Sequence, residues 1–318
     1  MNAVQFGINL MAAGITRGSP MLFAAVGEIV SERSGVLNLG LEGLMLMGAM
    51  TGYGVSYKTG DPYMGVMAGI LAAGFLSLIH AFVSVALKGE QVVSGLALTF
   101  FGTGLAAVLG APLIEMKGVA PRFGTYTVPL LGRLPVIGPI FFQQNVMVYL
   151  GYFIILAVWF VLYKTRLGLH LRACGEHPTA ADAMGVHVLR YRYGSVFFGG
   201  CLAGLGGAAL SLGITPGWID GMTAGQGWIA VGLVIFAGWN PWRAALGSYL
   251  FGAIRRLPLD LQGVPGLPFF RNPNIGYFLN MLPYLFCIAV LLISSRRSFR
   301  LRLGAPAALG LPFMRGER

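Results

Sequence analysis

The side chains most able to do chemistry in this sequence are a few polar ones set in long apolar runs. Asn38 and Glu42 stand four apart with Gly40 and Gly43 beside them, and Gln91 and Ser94 stand three apart. On a helix, each pair shares a face. His80 and Glu28 lie singly in other apolar runs. A charged side chain at mid-bilayer costs about 2.5–3.5 kcal/mol on insertion scales, so each needs a reason to be there. Two readings stay open. In one, Asn38, Glu42, Gln91 and Ser94 line or gate a path for a polar solute, the glycines letting the chain bend around a cavity. In the other, Glu42 pairs with Arg33 or another interior group, and Gln91 and Ser94 bond across helices, so that all four only lock packing. His80 reads as a packing residue. Glu28 reads as a partner for Arg33 or an interfacial group, and Asp220 and Asp260 as solvated positions in outer loops.

None of these residues forms a catalytic constellation. There is no HExxH, no GxSxG, and no His, Cys and carboxylate set at ligand spacing. Cys174, Cys201 and Cys287 are far apart, none in a CxxC pair, and read as small buried hydrophobes. The dipeptide Gly-Lys occurs nowhere, which excludes a phosphate-cradling P-loop. No metal or cofactor is expected on this chain. If a solute moves through this chain, the power must come from a separate subunit or an ion gradient.

A second polar stretch differs in character. Residues 164–191 read KTRLGLHLRACGEHPTAADAMGVHVLRY. Pro178 suits a first helical turn, where its missing N–H costs nothing. Residues 179–184 are mainly good helix formers, and Gly185 supplies the stop. A helix of two turns is too short to be stable alone in water, so it must dock. Ala180, Ala181 and Met184 give it a small apolar knob, suited to a groove in a partner or to the underside of this protein's own bundle.

The elements that must hold these residues are membrane spans. The chain has 318 residues, of which 56% are hydrophobic and 10% charged, with 48 glycines. Soluble domains carry roughly 25% charged residues, and so little charge cannot cover a water-facing surface. Membrane helices use small residues for close approach. Spans of about 20 apolar residues fall at 3–30, 36–57, 63–87, 91–111, 145–163, 191–213, 226–238, 242–257 and 276–293. The predicted fold is therefore an all-α bundle of about nine transmembrane helices with a short extramembrane helix. Arg17-Gly18-Ser19-Pro20 interrupts the first, making it either one kinked helix or an interfacial helix leading into a span. The spans at 226–238 and 242–257 are short and read as broken or tilted elements inside the bundle. Gly200, Gly204 and Ala208 form a small-residue contact face.

Charge sets the orientation. The net charge is +11, but the basic residues lie in short loops and at the C-terminus, with no aromatic-interleaved run for nucleic acid. One side, with loops 31–35, 88–90, 164–190, 239–241 and the tail 294–318, holds 14 of the 22 Lys and Arg residues once Arg192 and Arg243 are included. That side reads as cytoplasmic, C-terminus included, and the Pro- and Gly-rich loop 112–144 as external. The first 16 residues lack the charged n-region of a cleavable signal peptide. Nothing marks a second, soluble domain.

The polar loop resembles the coupling segment of ABC importer permeases of the ribose, branched-chain amino acid and nucleoside class. It does so through Arg172, Gly175, Glu176, His177, Pro178, Ala180, Ala181 and Gly185. Residues 27–49 are similar to the nucleoside branch through Gly35, Val36, Asn38, Gly40, Glu42 and Gly43. Residues 90–105 are similar to it through Gln91, Val92, Ser94, Gly95, Ala97 and Leu98. Trp239-Asn240-Pro241-Trp242 departs from the family's Gly-rich turn, and the likeness is weakest in loop 112–144 and the tail. The resemblance implies a single permease domain over 1–318 in a bacterial inner membrane. It also implies a second permease subunit, cytoplasmic ATPase subunits that use ATP and receive the coupling helix, and an extracytoplasmic binding protein. The implied cargo is a nucleoside or purine, then a simple sugar, then a branched-chain amino acid. An ion-driven transporter and a scaffold subunit without conduction are the rival classes.

Overall fold

The structure, a computed structural model, describes residues 3–115, 121–263, 273–294 and 304–315. Arg271, Arg296, Arg297, Arg300, Arg302 and Arg318, which enter the charge argument, lie outside the described residues. The long helices are α1 (Ala3–Arg33), α2 (Leu41–Thr59), α3 (Pro62–Ala81), α4 (Gln91–Ile114), α5 (Val146–Lys164), α8 (Val188–Ala209) and α10 (Pro241–Gln262). Between α5 and α8 come α6 (Arg166–Glu176) and α7 (Pro178–Ala183); α9 (Gln226–Ala237) precedes α10, and α11 (Pro273–Asn280) and α12 (Leu282–Ser294) follow it. A turn of wider π geometry extends α3 to Ala86 and α8 to Ile214.

Helix starts are written in side chains. Asp61 accepts from Tyr63 N at 2.8 Å ahead of α3, whose first residue is Pro62. Glu90 accepts from Val93 N at 2.6 Å at α4, and Asn145 from Met147 N at 2.9 Å at α5. Such acceptors satisfy amides that a helix N-terminus leaves unpaired.

Among the described residues, four helical runs are long and apolar enough to cross a membrane: Pro62–Ala86, Gln91–Ile114, Val146–Lys164 and Val188–Ile214. Helix α4 carries exposed Phe100, Val108 and Leu109, and α5 exposed Phe153 and Phe160, the surface a lipid phase favours. α1 and α2 are also long enough but carry Arg17, Glu28, Glu32 and Glu42. They are deeply buried: residues 21–26 of α1 have no exposed surface. Against them lies α8, through its small residues. A Cβ added at Gly48 of α2 would meet Gly204 Cα at 2.5 Å, and one at Gly27 of α1 would meet the Gly199 carbonyl at 2.7 Å. Backbones meet there, as the small-residue face predicted.

Several boundaries differ from the sequence reading. α1 is one continuous helix through Pro20, not an interfacial helix followed by a span. The second span begins at Leu41 rather than 36, so Asn38 lies outside the helix and Glu42 in its first turn. Ahead of it, residues 34–40 are non-helical. The ninth predicted span is two helices, α11 and α12, broken at Met281. The stretch read as all loop at 112–144 holds a short hairpin, β1 (Thr125–Thr127) antiparallel to β2 (Gln143–Asn145), with Thr125 opposite Asn145. Asp260 is inside α10, where it pairs with Arg256 at 2.6 Å, rather than in a solvated loop. An i,i+4 partner offsets the poor helix propensity of aspartate.

Candidate functional site

Residues 34–40 interrupt the bundle core, and a buried backbone outside a helix must find partners elsewhere. It finds them in the polar residues of the apolar runs. Leu37 N donates to Gln91 Oε1 at 2.8 Å, and Leu37 O lies 3.0 Å from His80 Nε2, whose Nδ1 is 3.0 Å from Ser94 Oγ. Asn38 N donates to Glu28 Oε1 at 2.7 Å, and Asn38 Oδ1 accepts from Gly40 N at 2.8 Å. Thr99 Oγ1 donates to Leu39 O at 2.8 Å. Side chains of α1, α3 and α4 thus form a sleeve around one stretch of irregular chain. Glu28 is fully buried and serves Asn38, not the membrane interface.

Glu42 extends the sleeve to α9. Its carboxylate accepts from Thr223 Oγ1 at 2.5 Å, Gly225 N at 2.9 Å and Gly227 N at 2.7 Å. The partner is a helix N-terminus and not Arg33. At about 1.5 Å per residue the 12 residues of α9 reach only about 18 Å, short of the ~30 Å of a bilayer core. One end of α9 therefore stops inside the protein, where an anion complements its dipole. The other end turns at Gly238 and Trp239, both at positive φ, before Asn240 caps α10. Trp239 Nε1 donates to Glu32 Oε2 at 2.5 Å and Arg33 Nη2 to Trp239 O at 3.4 Å, so both ends of α9 are tied to α1 and α2. The Trp-Asn-Pro-Trp turn, a departure at sequence level, is one of these ties.

The coupling stretch holds two helices where one was expected. α6 begins on Thr165, which accepts from Gly168 N, and His170 Nδ1 lies 2.8 Å from Tyr191 OH of α8. Arg172 stacks over Tyr163 at 5.3 Å. Gly175 presses on the end of α1: a Cβ there would sit 3.2 Å from Gly35 N and closer still to the Arg33 carbonyl. Only glycine allows that approach. His177 links the helices, and α7 starts on Pro178 and stops at Gly185, φ +84°, as predicted. The apolar knob is divided. Ala181 turns inward onto Cys174, Val188 and Phe313, whereas Ala180, Glu176 and His177 are exposed and Met184 is 84% exposed. Burial pushes the Cys174 thiol up to about 11, so it is a packing group and a weak nucleophile.

The sequence reading passed over one feature. A cavity of about 210 Å³ lies between α1, α9, α10 and α12, lined by Arg17, Ala224, Ile229, Arg255, Pro258, Pro283 and Tyr284. Arg255 Nη1 is buried without a hydrogen-bond partner among the described residues. Its sequence signal is the pair Arg255-Arg256 inside a stretch that reads as a span. A larger cleft of about 630 Å³, between α5, α6 and α8, is nearly all apolar and offers a polar solute little.

Residues 10–294 match the model of one family, described as branched-chain amino acid transport system / permease component. The chain belongs to this family. It is also 35% identical over 333 residues to the guanosine ABC transporter permease protein of Bacillus subtilis, and 34% identical over 330 residues to the nucleoside ABC transporter permease protein of Lactococcus lactis, each alignment covering 100% of both chains. A Haloferax volcanii protein assigned provisionally as a glucose ABC transporter permease is 41% identical over 322 residues, 96% of this chain and 97% of its own. No solved structure matches significantly. Membership of this permease family, with several apolar spans, makes the chain a multi-pass membrane transport subunit.

Proposed function

We propose that this permease carries a nucleoside or related purine inward as one of a pair of membrane subunits of an ABC importer. Two cytoplasmic ATPases would dock on α6–α7, and an extracytoplasmic protein would deliver the solute. The observation that carries the reading is mechanical: an exposed two-helix unit is joined by contact to the interior. Gly175 of α6 rests on Arg33 and Gly35, residues 34–40 run on into α2, and Glu42 at the start of α2 holds the buried end of α9. ATP-driven closure of the ATPases would push α7 and move these elements as a connected set, switching access to a path that Asn38, Glu42, Gln91 and Ser94 frame and the Arg17–Arg255 cavity adjoins. In this reading those four residues position the chain along the path, and their hydrogen bonds support that.

The same reading places the protein in a bacterial inner membrane with about nine membrane helices, α9 ending inside the bundle and α11 and α12 together making the last. Residues 1–318 form one permease domain with a cytoplasmic C-terminus, and ATP is used by the partner subunit. The nucleoside and guanosine permeases that align end to end support the cargo; the higher identity to a protein assigned to glucose favours simple sugars as second reading.

The test is uptake into vesicles holding the complete complex, with labelled guanosine and labelled glucose offered separately. Uptake of guanosine that requires ATP and the binding protein supports the proposal. ATP-dependent uptake of glucose alone moves the cargo to the second reading. Uptake driven by an ion gradient without ATP would hand the case to a secondary transporter.

A further inference from the structure

In sequence the tail offers only positive charge, yet residues 304–315 lie on the coupling unit. Arg33 Nη1 donates to Gly304 O at 3.3 Å, and Ala308 N donates to Gly175 O at 2.9 Å. Gly310 N donates to Gly35 O at 3.2 Å. The buried guanidinium of Arg192, on α8, donates through Nε to Ser34 O at 3.2 Å and through Nη1 to Leu311 O at 2.9 Å. Phe313 is buried among Cys174, Ala181 and Val188. One segment therefore touches the end of α1, the junction of α6 and α7, and the start of α8.

Two features separate this from a chance resting place. Two of its backbone hydrogen bonds are made to the carbonyls of Gly35 and Gly175, the two glycines through which α6 bears on α1, so the segment closes that joint from outside. Its one large buried side chain also fills the space beneath Ala181, the inward face of a helix too short to hold itself. The ion pair Arg315–Asp182, at 3.0 Å, is largely exposed and adds little. Phe313 is the anchor.

We propose that residues 304–315 are a strap that positions α6 and α7 against the bundle, so that a push on α7 is transmitted at Gly175–Gly35 and not lost in local rocking. This rests on the importer reading above. The strap acts through the coupling helices and touches no solute. Rigid support matters here because a coupling element that opens locally at low cost absorbs displacement instead of passing it on.

Cys174 offers a reporter that does not depend on transport. With Cys201→Ala and Cys287→Ala in the full chain, Cys174 is the single thiol, and Phe313 covers it. Phe313→Ala, or truncation after residue 303, is expected to raise maleimide labelling of Cys174 in membrane vesicles by about tenfold, as ~1.4 kcal/mol easier opening would. Phe313→Leu should hold labelling near the parent rate. In the reconstituted complex Phe313→Ala should cut solute moved per ATP hydrolysed several-fold while the ATPase still copurifies, and Phe313→Leu should restore the ratio. An unchanged labelling rate means that the segment does not cover Cys174, and the strap is wrong. Raised labelling with an unchanged transport ratio leaves a docked tail without a positioning role and overturns the proposal. Uptake that needs no ATP in the parent protein sinks the importer reading, and the coupling role with it, while labelling still reports whether the tail is docked.

Discussion

The sleeve around residues 34–42 and the coupling unit α6–α7 contain the same kinds of side chain and use them in opposite directions. In the sleeve Glu28, Glu42, His80 and Gln91 are buried, and each is bonded to backbone of another segment. In the coupling unit His177 faces outward and Met184 stands almost free, while the exposed Glu176 spends one oxygen on Ala307 N at 3.2 Å. The first region uses polar groups to hold an irregular chain where no water can, which makes each one structural. The second leaves surface without internal purpose, which points to a partner. The contrast separates residues that set the shape of the bundle from residues that receive a signal.

The largest effect should come from Glu42. Glu42→Leu strands the Thr223 hydroxyl and the amides of Gly225 and Gly227. At about 1–3 kcal/mol for each buried group left unpaired, the total loss is on the order of 3 kcal/mol or more. Thermal unfolding in detergent would read this as poor yield or a markedly lower midpoint, while Glu42→Gln, which keeps one acceptor oxygen, should fall between. A Glu42→Leu protein as stable as the parent would mean that the carboxylate is not holding α9.

Gln91→Leu ranks next. It deprives Leu37 N of its acceptor and should cost about 1–3 kcal/mol. His80→Phe removes the contacts to Leu37 O and Ser94 and should cost a similar amount. Because both act on Leu37, their effects should be non-additive in a double-mutant cycle. Strict additivity would break the picture of one shared sleeve.

How much of this was readable in advance follows from the same contrast. Local signals carried well: Pro178 and Gly185 bound α7 where the sequence placed them, and the small-residue run of α8 is a contact face. Glu28, Glu42, His80 and Gln91 stand out as anomalies, since a polar group in an apolar run is conspicuous, whereas Glu32, in a stretch that reads as loop, does not. Their partners are not visible, because Glu42 and Gly227 meet over 185 positions of sequence, and no local pattern encodes such a pairing. The start of α2 was misplaced because Val36 and Leu37 extend the apolar run, although their backbones are held by His80, Gln91 and Ser31 rather than by a helix. The strap was invisible for a related reason. A stretch rich in Pro, Gly and Ala has no periodicity, and its hydrogen bonds run through peptide groups that every residue possesses.

The smallest effect on stability should accompany one of the largest on function. Met184 ends a two-turn helix, touches little of its own chain, and is expected to tolerate Met184→Asp within about 0.5 kcal/mol. If the coupling unit is a receiving surface, the variant should insert, unfold at the parental temperature, and lose ATP-linked uptake together with the copurifying ATPase. Ala181→Arg, three residues away, is not an equivalent probe, because Ala181 is buried against Cys174 and Phe313 and an arginine there would force α7 off the bundle. The two substitutions should therefore fail differently: one loses its partner with the fold intact, the other loses the local fold first. Identical behaviour, with both unstable or both transporting, would erase the distinction between a buried face and a docking face on α7.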